Sequence, residues 1–190
     1  MTPDKPLRAD ARRNRARVLE AAEQLFDEVG SSVSTEEIAK RAGVGIGTVF
    51  RHFPTKEDLL KAILKARLER LTADAERLAD EGAAETAFFE FCTRLVDQAA
   101  RQKTVVDLLA REGAAFQTDK PIHGLQGVVE RLLRRAQQAG AVRPEVGTPE
   151  VMALLVALCQ AALNPGWTED LRHRTLAIVV AGLRPTTRVT

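Results

Sequence analysis

The residues of this chain best suited to chemistry are hydrogen-bond donors in one short segment that carries no carboxylate. Thr48, Arg51, His52 and Lys56 all fall within residues 45–56, where no aspartate or glutamate stands. Hydroxyl, guanidinium, imidazole and ammonium groups are donors that proteins present to phosphate oxygens and base edges. The segment therefore predicts a surface that binds nucleic acid.

Two short helices joined by a glycine turn are predicted to position these donors. Ser34 and Glu37 have capping-box spacing, in which each side chain satisfies a free backbone N–H of the other residue at a helix start. Gly43 supplies a left-handed turn that most residues resist. A candidate recognition helix follows over residues 45 or 46 to 52. This order is typical of a helix-turn-helix that reads DNA.

A further helix is predicted directly after the recognition segment. Thr55 and Asp58 repeat the capping-box spacing, and Lys56 falls in the first turn of that helix. A helix N-terminus has free backbone N–H groups that favour anions. Together with the lysine, this helix start is suited to a phosphate.

The run from Glu36 to Leu60 resembles the TetR family of bacterial transcription regulators. The resemblance lies in three motifs, IAKRAGV, GTVFRHF and PTKEDLL, and with the preceding helix it covers residues 14–65. It implies a dimer in which each recognition helix enters a major groove of double-stranded DNA. The positions that we expect to form the DNA-binding site are Arg12, Arg13, Thr35, Gly45, Ile46, Gly47, Thr48, Phe50, Arg51, His52 and Lys56.

Two departures from the family pattern bear on which DNA sequence is read. Phe50 stands where the family often has tyrosine, and it has no hydroxyl to offer a phosphate. Gly45 and Ile46 replace residues that are often polar. Ile46 cannot hydrogen-bond a base edge, but it can pack against a thymine methyl group.

The charges of the chain are segregated although the net charge is only +2. Residues 1–17 carry six basic and two acidic side chains, residues 18–39 carry six acidic and no basic ones, and residues 40–56 carry four basic and no acidic ones. One interpretation is a positive surface facing DNA, and the alternative is ordinary solvated charge. The basic residues concerned are Arg8, Arg12, Arg13, Arg15, Arg17, Lys40, Arg41, Arg51 and Lys56.

No pattern in the sequence predicts an enzyme, a metal site or a cofactor. Cys92 and Cys159 are far apart and lack metal-ligand spacing, so we expect two small buried residues. No nucleophile elbow, phosphate-binding loop or zinc-protease motif occurs. The N-terminus lacks an apolar signal core, and no apolar run approaches the length of about 18 residues that spans a bilayer. We expect a cytoplasmic protein without a membrane partner.

Periodicity predicts an all-α fold, with a three-helix N-terminal head and a C-terminal helical domain. The first helix is predicted from about Asp10 to Val29, and the fourth from Lys56 to about Asp80. Further helices are expected near residues 84–101, 103–115, 122–139, 149–163 and 169–182. We place the DNA-binding domain at residues 1–55, and the effector-binding and dimerisation domain at residues 56–190.

The segment from Val151 to Leu163 is apolar on nearly every side, which a surface helix of a monomer does not tolerate. One interpretation is a four-helix interface between two copies, and the alternative is a wholly intramolecular core helix. The resemblance also implies a homodimer. The last predicted helix would add to this interface Leu176, Ile178, Val179, Val180 and Leu183.

A small-molecule effector, if one exists, is expected to bind among the helices after the head. Aromatic residues at helical spacing are more often core than ligand contacts, so a core role is the alternative for this group. The candidate ligand-binding residues are Phe88, Phe91, Cys92, Phe116, His123 and Trp167. The function predicted is that of a dimeric repressor, released from an inverted-repeat operator by the effector. The alternative is an all-helical scaffold that does not bind specific DNA.

Overall fold

A computed structural model of the chain describes residues 5–111 and 124–185, and the regular structure of these residues is entirely helical. The prediction of an all-α fold is confirmed. A short 3₁₀ turn, Gly30–Ser32, follows the first helix. In chain order the helices are α1 (Lys5–Val29), α2 (Thr35–Ala42), α3 (Ile46–His52), α4 (Lys56–Glu81), α5 (Ala87–Arg101), α6 (Lys103–Arg111), α7 (Gln126–Gln138), α8 (Thr148–Ala162) and α9 (Glu169–Leu183).

The described helix bounds agree with the predicted ones to within about one residue, with three differences. α1 begins at Lys5 rather than near Asp10, α5 at Ala87 rather than near residue 84, and α7 at Gln126 rather than near residue 122, since residues 124 and 125 form a turn. The delay in α5 has a physical cause, because the N–H of Thr86 donates to the carbonyl of Ala83 at 3.1 Å and closes a turn before the helix. Residues 112–115, which were predicted to extend α6, lie outside the described residues.

One compact unit contains residues 5–67 together with residues 104–111. It holds the helix-turn-helix, the first part of α4 and most of α6. The division at residue 55 follows the sequence motif and stays a prediction. The side chains at the centre of this unit, each at most 2% exposed, are Val18, Ala22, Phe26, Ile38, Val49, Leu60, Ile63, Val105 and Leu109.

Ion pairs join α1 to two other helices of this unit. Arg67 of α4 is only 4% exposed, and its guanidinium donates to a carboxylate oxygen of Asp27 in α1 at 2.8 Å. Arg41 of α2 donates to both carboxylate oxygens of Glu28 in α1, at 2.9 and 3.1 Å. A two-pronged contact of this kind fixes direction as well as distance. The first helix of the helix-turn-helix and α4 are therefore both held to α1.

The second unit contains residues 68–103 and 124–185, and α5 packs against α7, α8 and α9 within it. Its core is apolar, with Phe88, Phe91, Val96, Val129 and Ala136 fully buried. Arg135 of α7 donates to the carbonyls of Leu78 and Gly82 at 3.1 and 2.7 Å, and also to that of Ala79. The last carbonyls of a helix lack partners within the helix, and Arg135 donates to carbonyls at this end of α4. The carbonyl of Leu78 also accepts from the N–H of Gly82 at 3.0 Å.

Both cysteines are buried in the second unit, as expected from the sequence. Burial raises the pKa of the Cys92 and Cys159 thiols to about 12, since a thiolate is poorly solvated there. Within residues 5–111 and 124–185, no group of three or more metal-ligating side chains could hold a metal ion. No helix in this described part is long and apolar enough to cross a membrane.

Candidate nucleic-acid interface

The first helix of the helix-turn-helix begins at the predicted capping box. The hydroxyl oxygen of Ser34 accepts from the N–H of Glu37 at 3.2 Å, and the N–H of Ser34 donates to the Glu37 carboxylate at 2.9 Å. The backbone bond from Ser34, followed by the bond from its hydroxyl, lowers the pKa of Glu37 below its ordinary value. Thr35, the first residue of α2, is half-buried behind this cap.

The turn between α2 and α3 is left-handed at Gly43, with φ of 64°. The N–H of Val44 donates to the carbonyl of Ala39 at 3.0 Å, and that of Gly43 to the carbonyl of Lys40 at 3.2 Å. These two bonds form a Schellman motif, which closes a helix through a residue in the left-handed conformation. The turn predicted from the glycine alone is thereby confirmed in its backbone geometry.

The recognition helix α3 has one buried and one exposed face. Val49 inside α3 is 1% exposed, and Phe53, four positions later at the helix C-cap, is 3% exposed. Ile46 and Phe50, one turn apart, are in contrast 39% and 50% exposed, which is unusual for large apolar side chains. Exposed apolar groups at helical spacing are typical of a contact surface.

The polar candidates of this segment differ in exposure. Arg51, Gly45 and Gly47 lie exposed, whereas Thr48 and His52 are half-buried. Ile46 and Phe50 are neighbours on the surface of α3, and so are Gly47 and Arg51, because positions four apart are neighbours on a helix. The structure therefore exposes Arg51 on the same helix as an exposed apolar pair.

Lys56 lies exposed at the start of α4, next to a second capping box. The hydroxyl oxygen of Thr55 accepts from the N–H of Asp58 at 3.0 Å, and the N–H of Thr55 donates to the Asp58 carboxylate at 3.2 Å. The predicted start of α4 is confirmed. The carboxylate of Asp58 also brings a negative charge close to the proposed phosphate position.

Several basic residues of the predicted positive surface have partners inside the first unit. Arg17 donates to the carbonyl of Gly43, Arg15 lies over the ring of Phe53, and Arg41 pairs with Glu28. These contacts could not be predicted from the sequence, because no local pattern marks them. Hydrogen bonding to Arg41 lowers the pKa of Glu28 and raises that of Arg41, so this pair stays ionised.

Other basic residues of this surface point into solvent. Arg12 and Arg13 lie exposed on α1, and Arg13 pairs with Asp10 one turn earlier. Lys40 of α2 is also exposed. The side chain of Arg8 lies outside the described part. The assignment of Arg12 and Arg13 to DNA stays a prediction.

The ligand-binding candidates fall in different places. Phe88 and Cys92 line an apolar cavity of about 20 Å³ between α5, α8 and α9, together with Phe89. Phe91 is fully buried in the core, and Trp167 is half-buried against it. The remaining candidates, Phe116 and His123, lie outside the described residues. Their assignment to a ligand stays a prediction.

Two family models match the chain. One, described as bacterial regulatory proteins of the tetR family, matches residues 18–63. The other, described as the C-terminal domain of SbtR-like transcriptional regulators, matches residues 83–185. The first match contains α2 and α3, and the second covers more than half of the chain.

Individual proteins resemble the chain over most of its length. The HTH-type transcriptional regulator UidR of Escherichia coli (strain K12) is 30% identical over 185 residues, which cover 94% of this chain and 93% of UidR. The crystal structure of a TetR transcription regulatory protein from Mycobacterium vanbaalenii is 39% identical, with a TM-score of 0.73 over 95% of this chain and 100% of that chain. A gamma-butyrolactone receptor, described as ArpA-like, is 25% identical, with a TM-score of 0.60 over 94% of this chain and 92% of that chain.

The glycine turn generates a paired stability prediction. A Cβ at Gly43 would lie 2.5 Å from Nη2 of Arg17 in a left-handed backbone, so Gly43→Ala is expected to be destabilising. The left-handed conformation alone costs about 1–2 kcal/mol for a residue with a Cβ. The control is Gly47→Ala within α3, where nothing lies within 4 Å of the added Cβ. It is expected to stabilise by up to about 1 kcal/mol. Urea unfolding followed by circular dichroism measures both, and a change of the same sign in both variants would contradict the prediction.

Proposed function

The chain belongs to the TetR family of bacterial transcription regulators, and we propose that it is a dimeric repressor that binds an inverted-repeat operator. Proteins of this family bind DNA through a helix-turn-helix and carry a ligand-binding C-terminal domain. The observation that carries the proposal is the exposed surface of α3, which presents the side chains of Ile46, Phe50 and Arg51.

The proposed division of labour among these residues follows from their chemistry. The guanidinium of Arg51 has donors in a planar fork, which suits the two acceptors that guanine presents in the major groove. Ile46 and Phe50 have no polar group to offer, and they suit the thymine methyl group. Lys56 supplies a point charge for a phosphate, which positions the protein without reading sequence.

The dimer is proposed to form through α8 and α9. Leu176 and Leu183, which the dimer interpretation placed in an intermolecular face, are 4% and 9% exposed within the core of their own chain, so for these two the core alternative holds. Ile178, in contrast, is 73% exposed, and Leu154 of α8 is 38% exposed. Small exposed residues lie along the same two helices, namely Ala153, Ala157, Ala177, Ala181 and Gly182, while an exposed Arg174–Asp170 pair precedes Ile178 by one turn. Such a surface allows close approach of a second copy in a self-complementary interface.

The proposal also includes release of the protein from DNA when an effector binds to the second unit. The cavity between α5, α8 and α9 has apolar lining residues only, and about 20 Å³ is room for little more than one water molecule. An effector must therefore displace side chains to enter, and its buried part must be apolar because the lining offers no hydrogen bond. One structural neighbour is described as a gamma-butyrolactone receptor, which suggests a first class of compound to test.

The DNA-binding prediction is tested by selecting bound duplexes from a randomised library at about 0.15 M salt, which suppresses non-specific contacts. An inverted repeat with half-site centres about one helical turn apart is expected to be enriched. Arg51→Ala is expected to weaken binding to that operator by about 5- to 150-fold, as for the loss of one bidentate base contact. Adding Lys56→Ala should weaken binding further.

The matched control for this pair is Arg77→Ala with Arg134→Ala. These substitutions remove the same charge from two exposed arginines of the second unit, and operator affinity is expected to be unchanged. If no sequence is enriched from the library, the proposed function is refuted and the chain is better described as a helical scaffold.

The dimer prediction is tested by Ile178→Arg, which would place a charge in the interface without a partner. Because an unpaired buried charge is strongly unfavourable, the variant is expected to be a monomer. Val29→Arg is the control and is expected to remain a dimer. Val29 is also an exposed aliphatic residue, 53% exposed, but it lies at the end of α1 and does not belong to the proposed interface. Sedimentation velocity at micromolar concentration distinguishes the two. A dimer that survives Ile178→Arg would refute the proposed interface.

The effector prediction is tested with a γ-butyrolactone that carries an apolar alkyl chain. Its addition to a preformed operator complex is expected to lower DNA affinity by about 5- to 150-fold, the usual range of coupling between two sites. The ring-opened hydroxy acid of the same compound is the control, because its carboxylate finds no partner in an apolar cavity. Fluorescence anisotropy of labelled operator gives the affinity. Binding of the lactone without any change in DNA affinity would contradict this part of the proposal.

A further inference from the structure

Two arginines of α1 contact the chain at the two ends of the recognition helix α3. Nη2 of Arg17 donates to the carbonyl oxygen of Gly43 at 3.2 Å, two residues before the α3 N-cap, Gly45. The guanidinium carbon of Arg15 lies 4.9 Å from the ring centroid of Phe53, which is the C-cap of α3. One segment of α1 therefore contacts the residues that lead into and out of α3.

The chemistry of the Arg17 contact favours a lasting interaction. A hydrogen bond from an ionised donor is stronger than one from a neutral donor, and this one, at 3.2 Å, lies at the long end of the normal range. Gly43 lies just beyond the C-terminal end of α2, where the helix dipole places partial negative charge that attracts a cation. Nη2 of Arg17 lies only 2.5 Å from the position that a Cβ of residue 43 would take, so the glycine that makes the turn also leaves room for the arginine.

The α3 helix depends on such contacts for its orientation. A helix of seven residues is too short to be stable alone and takes its orientation from packing. Inside α3 only Val49 is buried, and Phe53 follows at the C-cap. A rotation of α3 about these two buried anchors would redirect Phe50 and Arg51. The contacts of Arg17 and Arg15 oppose that rotation at the two ends.

We infer that Arg17, assisted by Arg15, is a positioning residue for DNA reading, because it joins α1 to the turn that precedes α3. This role differs from the phosphate contact that its place in a basic segment predicts. The inference rests on the proposed function, since it concerns the same DNA-reading surface. On this inference, the sequence specificity of α3 depends on the side chain of Arg17, which belongs to another helix and does not itself contact a base.

The experiment compares Arg17→Met with the unmodified chain on two duplexes, the selected operator and a random sequence, over a range of salt concentrations. Methionine keeps much of the apolar stem and removes the donors. The affinity ratio between operator and random duplex is expected to fall by about 5- to 150-fold, the range for one base contact. The slope of log affinity against log salt should stay unchanged. Arg15→Met is expected to lower the same ratio with the same unchanged slope.

The salt slope separates positioning from phosphate binding. Loss of one phosphate contact weakens binding to every sequence and reduces the slope by about one. That result for Arg17→Met would overturn the inference, and so would an unchanged affinity ratio, whether or not overall affinity falls. If Arg17 only stabilised the fold, Arg17→Met would lower the fraction of folded protein and would weaken binding to both duplexes equally. Thermal unfolding measures that fraction. Arg77→Met, at an exposed arginine of the second unit, is the control, and it is expected to leave both the affinity ratio and the salt slope unchanged.

Failure of the proposed function would give a different result. If the unmodified chain itself binds operator and random duplex equally, it does not recognise a DNA sequence, and both proposals are refuted. If the unmodified chain prefers its operator and Arg17→Met keeps that preference, only the inference about Arg17 fails.

Discussion

The left-handed backbone of Gly43 constrains what the first unit presents to DNA. The two hydrogen bonds around it close α2 and turn the chain into α3, so that Val49 faces the core and Phe50 faces outward. A residue with a Cβ would meet both an unfavourable backbone conformation and the guanidinium of Arg17. One backbone conformation thus determines which face of α3 is buried, and hence which side chains are available for recognition.

Arginines serve as structural connectors in both units. Arg67 is the most enclosed of them, and its contact with Asp27 compensates for part of the cost of removing a charge from water. Arg41 contacts Glu28 with two hydrogen bonds, while Arg135 is bonded to backbone carbonyls at the end of α4. In each case a planar group with several donors joins two helices, which a lysine ammonium does less specifically. The basic side chains of this chain therefore divide into those that hold helices together and those that remain exposed.

The sequence predicts what is encoded locally, and it does not predict what is encoded between distant residues. Capping boxes at Ser34 and Thr55 and the turn at Gly43 are confirmed, because each depends on residues within five positions of one another. The contact of Arg17 with Gly43 joins residues 26 positions apart, and that of Arg67 with Asp27 joins residues 40 apart. The apolar residues of α9 also do not reveal, from their hydrophobicity alone, which of them are buried in the core. Leu176 lies in the core and Ile178 in solvent, although the two are equally apolar.

The buried thiols have a practical consequence for labelling. The thiols of Cys92 and Cys159 have a pKa of about 12, so they are almost wholly protonated at neutral pH. Both side chains are also buried. Since the thiolate is the form that reacts with maleimides and iodoacetamides, the native chain should be nearly inert toward them. A single cysteine introduced on an exposed position would then take up a fluorophore or spin label selectively, without prior removal of the native pair. Such a label could then be placed at a chosen position and measured while the two native cysteines stay unmodified.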